Sequence, residues 1–267
     1  MLRSVFAKTL RDQRRSLLVW AVALAALVAL YVAVYPSVKG DSSFAKLIDQ
    51  MPKAYRALFT TGNGADFTSP AGYLNTELLT FMGPLLVLLY AIGAGAGALA
   101  GEEDRRTLDL LLANPISRTR LVVEKFAALA AGVAGLMTVL WLALLAEGQL
   151  AGMNVSAGNS AAALVHLGLL GAEYGAVALL AGSLTGHLGV ARSAAALLAV
   201  LAYLLNGLAP LVGWLQPLRK ASPFYQYIGH DPLRTGLSGA ALAITIASIA
   251  ALVAAAIVTF TRREVLA

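Results

Sequence analysis

Apolar residues in this chain gather into six runs of about twenty, the length that carries an α-helix across the core of a bilayer. The runs are Leu17–Tyr35, Leu78–Ala100, Leu121–Ala146, Ala161–Leu184, Ala194–Trp214 and Leu237–Phe260. Ahead of the first, Leu2, Val5, Phe6 and Leu10 recur at helical spacing among Arg3, Lys8, Arg11, Arg14 and Arg15. That pattern predicts an amphipathic helix over Met1–Ser16, lying in the membrane interface. A secretory signal is the competing reading, but Leu17–Tyr35 is longer than an ordinary signal core and no small-x-small site closes it. In the long polar interval Pro36–Asn75, the residues Phe44, Leu47, Ile48, Met51, Tyr55, Leu58 and Phe59 fall on one helical face. Asp41 or Ser42 caps its start and Gly62-Asn63-Gly64 marks its end. This second amphipathic helix packs on the spans or lies at the outer membrane surface. Ser69-Pro70 reads as cap and first position of the helix leading into the second run. The expected fold is all-α: one polytopic domain over residues 1–267 with six transmembrane helices.

Composition agrees with that pattern. The chain has 267 residues, 59% hydrophobic and 13% charged, with a mean hydropathy of +0.75. A water-exposed surface usually needs about 25% charged residues. The Lys and Arg behind the net charge of +6 lie outside the runs, except Lys125 near the start of the third, which argues for membrane orientation rather than nucleic acid. With the N-terminus inside, 13 of the 20 Lys and Arg fall on the inner side and 7 on the outer. Both termini are therefore expected in the cytoplasm. Cysteine is absent, which removes disulfides and thiolate metal sites. No metal site is expected.

The most charge-dense interval is Gly101–Lys125, between the second and third runs. Glu102, Glu103 and Asp104 come first, where a helix N-terminus favours anions. Glu102 and Arg106 stand four apart in the favourable order for a helical pair. Leu108, Leu111 and Leu112 share a face, Asn114-Pro115 stops the helix, and Ser117 caps the next one from about Arg118. The spacing predicts one short amphipathic helix over Glu102–Ala113, braced between two spans.

Glu-Glu-x-x-x-Thr-Leu-x-Leu-Leu-Leu-x-x-Pro-x-Ser-Arg, followed by a Lys, resembles the cytoplasmic loop of six-span permease subunits of ABC-type exporters, the second permease class. In that family the loop holds a coupling helix that docks into a groove on a separate ATPase subunit. The resemblance implies a plasma-membrane protein with two six-span halves, a homodimer or a pair with a related chain. It places the ATPase contact at Glu102, Glu103, Arg105, Leu108, Leu111 and Arg118. The sequence has no Gly-x-x-x-x-Gly-Lys-Ser/Thr cradle, so this chain binds no cofactor, and ATP and Mg are expected on the partner. A solvated loop that only fixes topology is the plainer alternative.

Several polar residues fall inside the runs or beside them. Glu173 is the one carboxylate in the middle of a predicted span, and such a group must face protein or a cavity. His166 lies two turns earlier on the same face. Together they are candidates for a substrate path or a proton site, or for a plain interhelical contact. Asn206 suits interhelical hydrogen bonding, or less readily a ligand. The loop Gln216–Gly236 carries Phe224, Tyr225 and Tyr227, with Trp214 just before it, near the expected outer face, where aromatics often form an interfacial belt; Asp231-Pro232 looks like a helix start. In the resembled permeases this region holds short helices that dip back into the membrane as an outer gate. The reading is an efflux permease subunit, not an enzyme, moving a lipophilic drug, antibiotic or lipid. The alternative is a proton-coupled secondary transporter using Glu173 and His166.

Overall fold

The computed structural model describes residues 4–39, 46, 50–59, 67, 69–113 and 115–263, with the side chains at 110 and 112 excluded. The expected caps Asp41 and Ser42, the Gly62–Gly64 end signal, Asn114, the Leu112 side chain and the apolar positions Leu2, Phe44, Leu47 and Ile48 lie outside the described residues. Every regular element among those described is helical, and six helices are long and apolar enough to cross a membrane. This is a multi-pass membrane protein.

The first spanning helix, α1 (Val5–Val38), begins at Ser4, whose hydroxyl accepts from the Ala7 N–H. It runs unbroken through Ser16, so the expected interfacial helix and the first span are one element. At 34 residues it is about 50 Å long, more than the ~30 Å hydrocarbon core requires. No Gly or Pro interrupts Val5–Tyr35, which explains the continuity.

Of the expected second amphipathic helix, α2 (Lys53–Phe59) is described. It packs on the spans at the end opposite the termini. The Tyr203 hydroxyl donates to the Leu58 carbonyl at 2.6 Å, and Phe59 meets Phe81 at 5.2 Å between ring centres.

The second span, α3 (Pro70–Ala98), starts eight residues before the expected Leu78. Ser69 caps it as the sequence predicts. Its Asn75–Met82 stretch is π-helical. There the Leu79 carbonyl would look five residues ahead to Pro84, which has no N–H. The Tyr227 hydroxyl donates to it instead, at 2.7 Å. Two short helices follow, α4 (Ala100–Asp104) and α5 (Leu108–Leu112).

The remaining spans are α6 (Arg118–Leu150), α7 (Ala157–Thr185), α8 (Leu188–Leu208) and α11 (Gly239–Arg262). The α7–α8 turn shrinks to Gly186-His187, with Gly186 in the left-handed region at φ +71°. Between α8 and α11 lie a 3-10 helix over Gly213–Ala221, α9 (Pro223–Ile228) and α10 (Pro232–Thr235).

Helix α7 is the central post, packed against α3, α6, α8, α9, α10 and α11. Small residues bring α3 and α7 together. A Cβ on Gly95 would stand 2.1 Å from the Gly175 carbonyl oxygen, whereas Gly93 and Gly97 face open space. Of these three glycines, Gly95 alone meets a neighbour. The main core follows α7. A second, smaller core forms where the chain ends come together, around α4 and α5.

Candidate functional site: the elbow between the second and third spans

The elbow is two helical turns with a break. Arg106 takes a left-handed conformation at φ 55°, and the Thr107 N–H returns to the Glu102 carbonyl at 2.8 Å. The expected single helix over Glu102–Ala113 is therefore split. The anticipated Glu102–Arg106 pair does not form, because the helix ends before a fourth residue can come around. Glu102 turns inward and meets Lys125 of α6 at 2.5 Å, both side chains buried. The Thr107 hydroxyl also donates to it, at 2.5 Å. Burial alone would push the Glu102 carboxyl up, but the hydrogen bonds from Lys125 and Thr107 outweigh it and hold the group below the ordinary carboxylate value.

Leu108 and Leu111 point the same way. They are buried in the second core with Val5 of α1, Ala98 and Leu99 of α3 and its exit, Leu121 and Val122 of α6, Leu179 of α7, and Ala256 and Phe260 of α11. Polar ties add to this. Glu103 pairs with Arg263, whose guanidinium also reaches the Ser183 carbonyl at the end of α7. Asp104 accepts from the Leu188 N–H, the first residue of α8, at 3.3 Å. Arg118 donates to the Phe260 and Arg263 carbonyls at 3.1 and 2.6 Å and lies over the Phe260 ring. Ser117 caps α6 as expected. Glu124 accepts from the Phe6 N–H of α1 at 2.9 Å and pairs with Arg120 at 2.6 Å. One short segment thus shares contacts or a buried cluster with residues at the ends of all six spans.

The six residues assigned to partner contact differ in burial. Glu102, Leu108 and Leu111 are buried, and Glu103 and Arg118 are half-buried and bonded to the bundle. Arg105 is exposed, and beside it Arg106 and Asp109, which were not among the residues assigned to partner contact, are exposed too. The inward turn of Glu102 depends on Lys125, twenty-three residues away, and no local pattern reveals it.

The intramembrane candidates lie elsewhere. Glu173 is buried and accepts from the Ser248 hydroxyl of α11 at 2.5 Å. His166 is buried and accepts from the Ser238 N–H at 3.3 Å. Its ring stacks edge-on against His230, 4.5 Å between centres, a partner the sequence reading missed. Glu173 and His166 share a face of α7 but not a partner. Asn206 does not bridge two spans; it accepts from Arg219 in the following 3-10 helix at 3.2 Å. Phe224 and Tyr227 are buried rather than belted at an interface. Phe224 packs on Tyr174 and Tyr203, and Tyr227 bonds to Leu79. Burial pushes the Tyr227 hydroxyl far up. Tyr225 lies under the Arg219 guanidinium at 5.4 Å. Trp214 is exposed. Asp231 enters α10 in a left-handed conformation without a side-chain cap; it accepts from Asn75 at 3.1 Å instead. Among the described residues no cluster of three potential metal ligands occurs.

A family model described as ABC-2 family transporter protein matches residues 3–265. The chain belongs to that family. It is a transmembrane subunit of an ABC transporter, a permease subunit rather than an enzyme by family. No curated protein matches the sequence. Membrane subunits of the ABC-2 family work with a cytoplasmic ATPase, which gives the elbow geometry its functional setting.

Proposed function

We propose that this permease is the membrane half of an exporter whose motor, a separate ATPase binding ATP and Mg, docks on the exposed face of the elbow. The observation that carries the reading is the burial of Leu108 and Leu111 in one cluster with residues from α1, α3, α6, α7 and α11. A force applied at Arg105, Arg106 and Asp109 reaches those helices through packed side chains, which transmit displacement because close-packed interiors yield little. The Glu102–Lys125, Glu103–Arg263 and Asp104–Leu188 contacts carry the same force to α6, α11 and α8. Residues Glu102, Glu103, Leu108, Leu111 and Arg118 transmit, and Arg105 with its neighbours receives.

The excess of Lys and Arg on the elbow side supports a cytoplasmic elbow and cytoplasmic termini in the plasma membrane. Two copies of the chain, or one with a related chain, complete the transporter. The cargo is a lipophilic drug, antibiotic or lipid. The α9–α10 region, where Phe224, Tyr225 and Tyr227 are anchored, supplies the outer gate. The buried contacts of Phe224 and Tyr227 with α3, α7 and α8 support a segment that returns into the bundle.

The test is co-purification from cells expressing both subunits, followed by ATP-dependent efflux in proteoliposomes. Charge reversal at Arg105, Arg106 and Asp109 together should leave the permease inserted and release the ATPase. Retention of the ATPase by that variant would refute the docking face. Uptake or efflux driven by a pH gradient without ATP would favour the proton-coupled alternative.

A further inference from the structure

Two imidazoles meet at the end of the bundle opposite the elbow, and the transmission scheme uses neither. His166 stands about two and a half turns into α7, and its side chain is buried. Its Nε2 accepts from the N–H of Ser238, the residue that caps α11, at 3.3 Å. The ring of His230, between α9 and α10, stands edge-on to it at 4.5 Å between centres. The residues after His230 are tied down from several sides. Asp231 accepts from Asn75 of α3 at 3.1 Å, and the Arg234 carbonyl accepts from Asn159 of α7 at 3.1 Å. Two features work against this closed arrangement. His230 Nε2 is buried and, among the described residues, has no partner. Asp231 is left-handed at φ 53°, a conformation that costs about 1–3 kcal/mol and persists only where the surroundings impose it.

An imidazole that accepts a hydrogen bond at Nε2 is neutral, with its proton on Nδ1. Protonating His166 would set N–H against N–H at Ser238 and put a charge on a buried side chain. With His230 protonated as well, two like charges would face each other across the ring contact. The groups around the pair are poorly placed to absorb that charge. Asp231 shares its carboxylate between Asn75 and Arg234, the latter at 3.6 Å. α3 brings Asn75, with Glu77 two residues further on. α6 reaches this stretch at Leu144 beside Leu233, with Glu147 three residues further on. α7 carries Glu173 two turns beyond His166, and its carboxylate is bonded to Ser248 of α11. Burial holds the His230 imidazole below its ordinary value of 6.5, although Asp231 and the Gly236 backbone pull the other way. The closed stretch therefore takes up a proton less readily than the released one, and falling pH favours release below the ordinary value.

We propose that the His166–His230 contact is an acid-released latch: neutral, it holds residues 230–238 against α7; protonated, it lets them go. The latch stands on these contacts alone. Treating its release as opening of the outer gate rests on the exporter reading.

Hydrogen–deuterium exchange of the full chain in nanodiscs, with times scaled for the intrinsic pH dependence, tests the latch. Between pH 7.5 and 5.5, exchange over residues 229–239 should rise about tenfold, the equivalent of ~1.4 kcal/mol, while the elbow should not change. His166→Gln keeps an acceptor for Ser238 but cannot titrate, and His230→Phe keeps an aromatic edge; each should cut the rise at least threefold. His187→Gln, in the α7–α8 turn at the other end, should retain the full rise, as should Glu147→Gln and Glu173→Gln. Elbow exchange at pH 7.5 confirms that the variants fold. No rise in the wild type, an undiminished rise in both His166→Gln and His230→Phe, or its loss in Glu147→Gln or Glu173→Gln overturns the latch. ATP-driven efflux is read separately. If efflux ignores pH while the stretch still releases, the gate reading falls and the latch remains.

Discussion

Lys125 and Glu102 are the pair whose removal is most informative among single side chains. Both are buried and 2.5 Å apart. Taking one partner from a buried pair strands the other charge, at a cost of about 3–5 kcal/mol, while replacing both by apolar or neutral groups is often close to neutral. Lys125→Met should therefore lower thermal stability sharply. The double change Lys125→Met with Glu102→Gln should recover most of the loss, measured by thermal denaturation of detergent-purified protein. The pair also sets a pH dependence. The Glu102 carboxyl is held below its ordinary value of 4.5 in the folded chain, so its ionised form adds stability above that value. That stability is lost as pH falls through the lower, folded value. Stability of the wild type should decline on acidification in this range, and Glu102→Gln should decline less; equal acid sensitivity would remove Glu102 as the source. Gly186 adds a third test. It is left-handed, and a Cβ there would lie 2.3 Å from the Arg263 guanidinium and 2.7 Å from the Glu103 carboxylate. Gly186→Ala should disturb the Glu103–Arg263 pair and cost about 1–3 kcal/mol.

At the scale of elements, the packing of α3 against α7 separates three glycines that look equivalent in sequence. Gly95→Ala should force the two helices apart and reduce stability, because the new Cβ meets backbone rather than a flexible side chain. Gly93→Ala and Gly97→Ala should be neutral or slightly stabilising, since both face open space and alanine is the better helix former. Thermal denaturation of the three variants checks this; equal effects at all three would discount the backbone contact. Much of the element pattern was legible because its determinants are local. Runs of about twenty apolar residues announce the spans, and Ser69 and Ser117 cap helices with their own side chains. What was not legible depends on distant partners. Glu77 was left outside the second apolar run because Asn75-Thr76-Glu77 is polar; Ser69-Pro70 announced the helix that carries it, but not its π-helical turn. The elbow breaks at Arg106 because Glu102 is drawn to Lys125. Arg106→Gly should leave the elbow intact, since glycine takes that conformation freely, whereas the β-branched Arg106→Val should weaken it.

For the whole molecule, the elbow is the place where a small segment joins one buried cluster with α1, α3, α6, α7 and α11 and bonds to the start of α8. α7 stands at the centre, and the two ends of the bundle differ in kind. The elbow end has its own small core and a set of buried or half-buried ion pairs. The opposite end has the aromatic clusters around Tyr73 and Phe224. That division suits a machine driven at one end and opened at the other. The family was legible from the elbow motif because Leu108, Leu111, Pro115 and Ser117 carry the local fold. Which elbow side chains turn inward was not, because that depends on distant partners such as Lys125 and Arg263. The most direct test uses the absence of native cysteine. Asp109→Cys and Trp214→Cys, placed at opposite ends of the bundle, are each labelled with a photoreactive maleimide in membranes that also contain the ATPase. The account predicts a permease–ATPase adduct from position 109 and none from position 214. An adduct from position 214 alone, or none from position 109 while the ATPase still co-purifies, would contradict it.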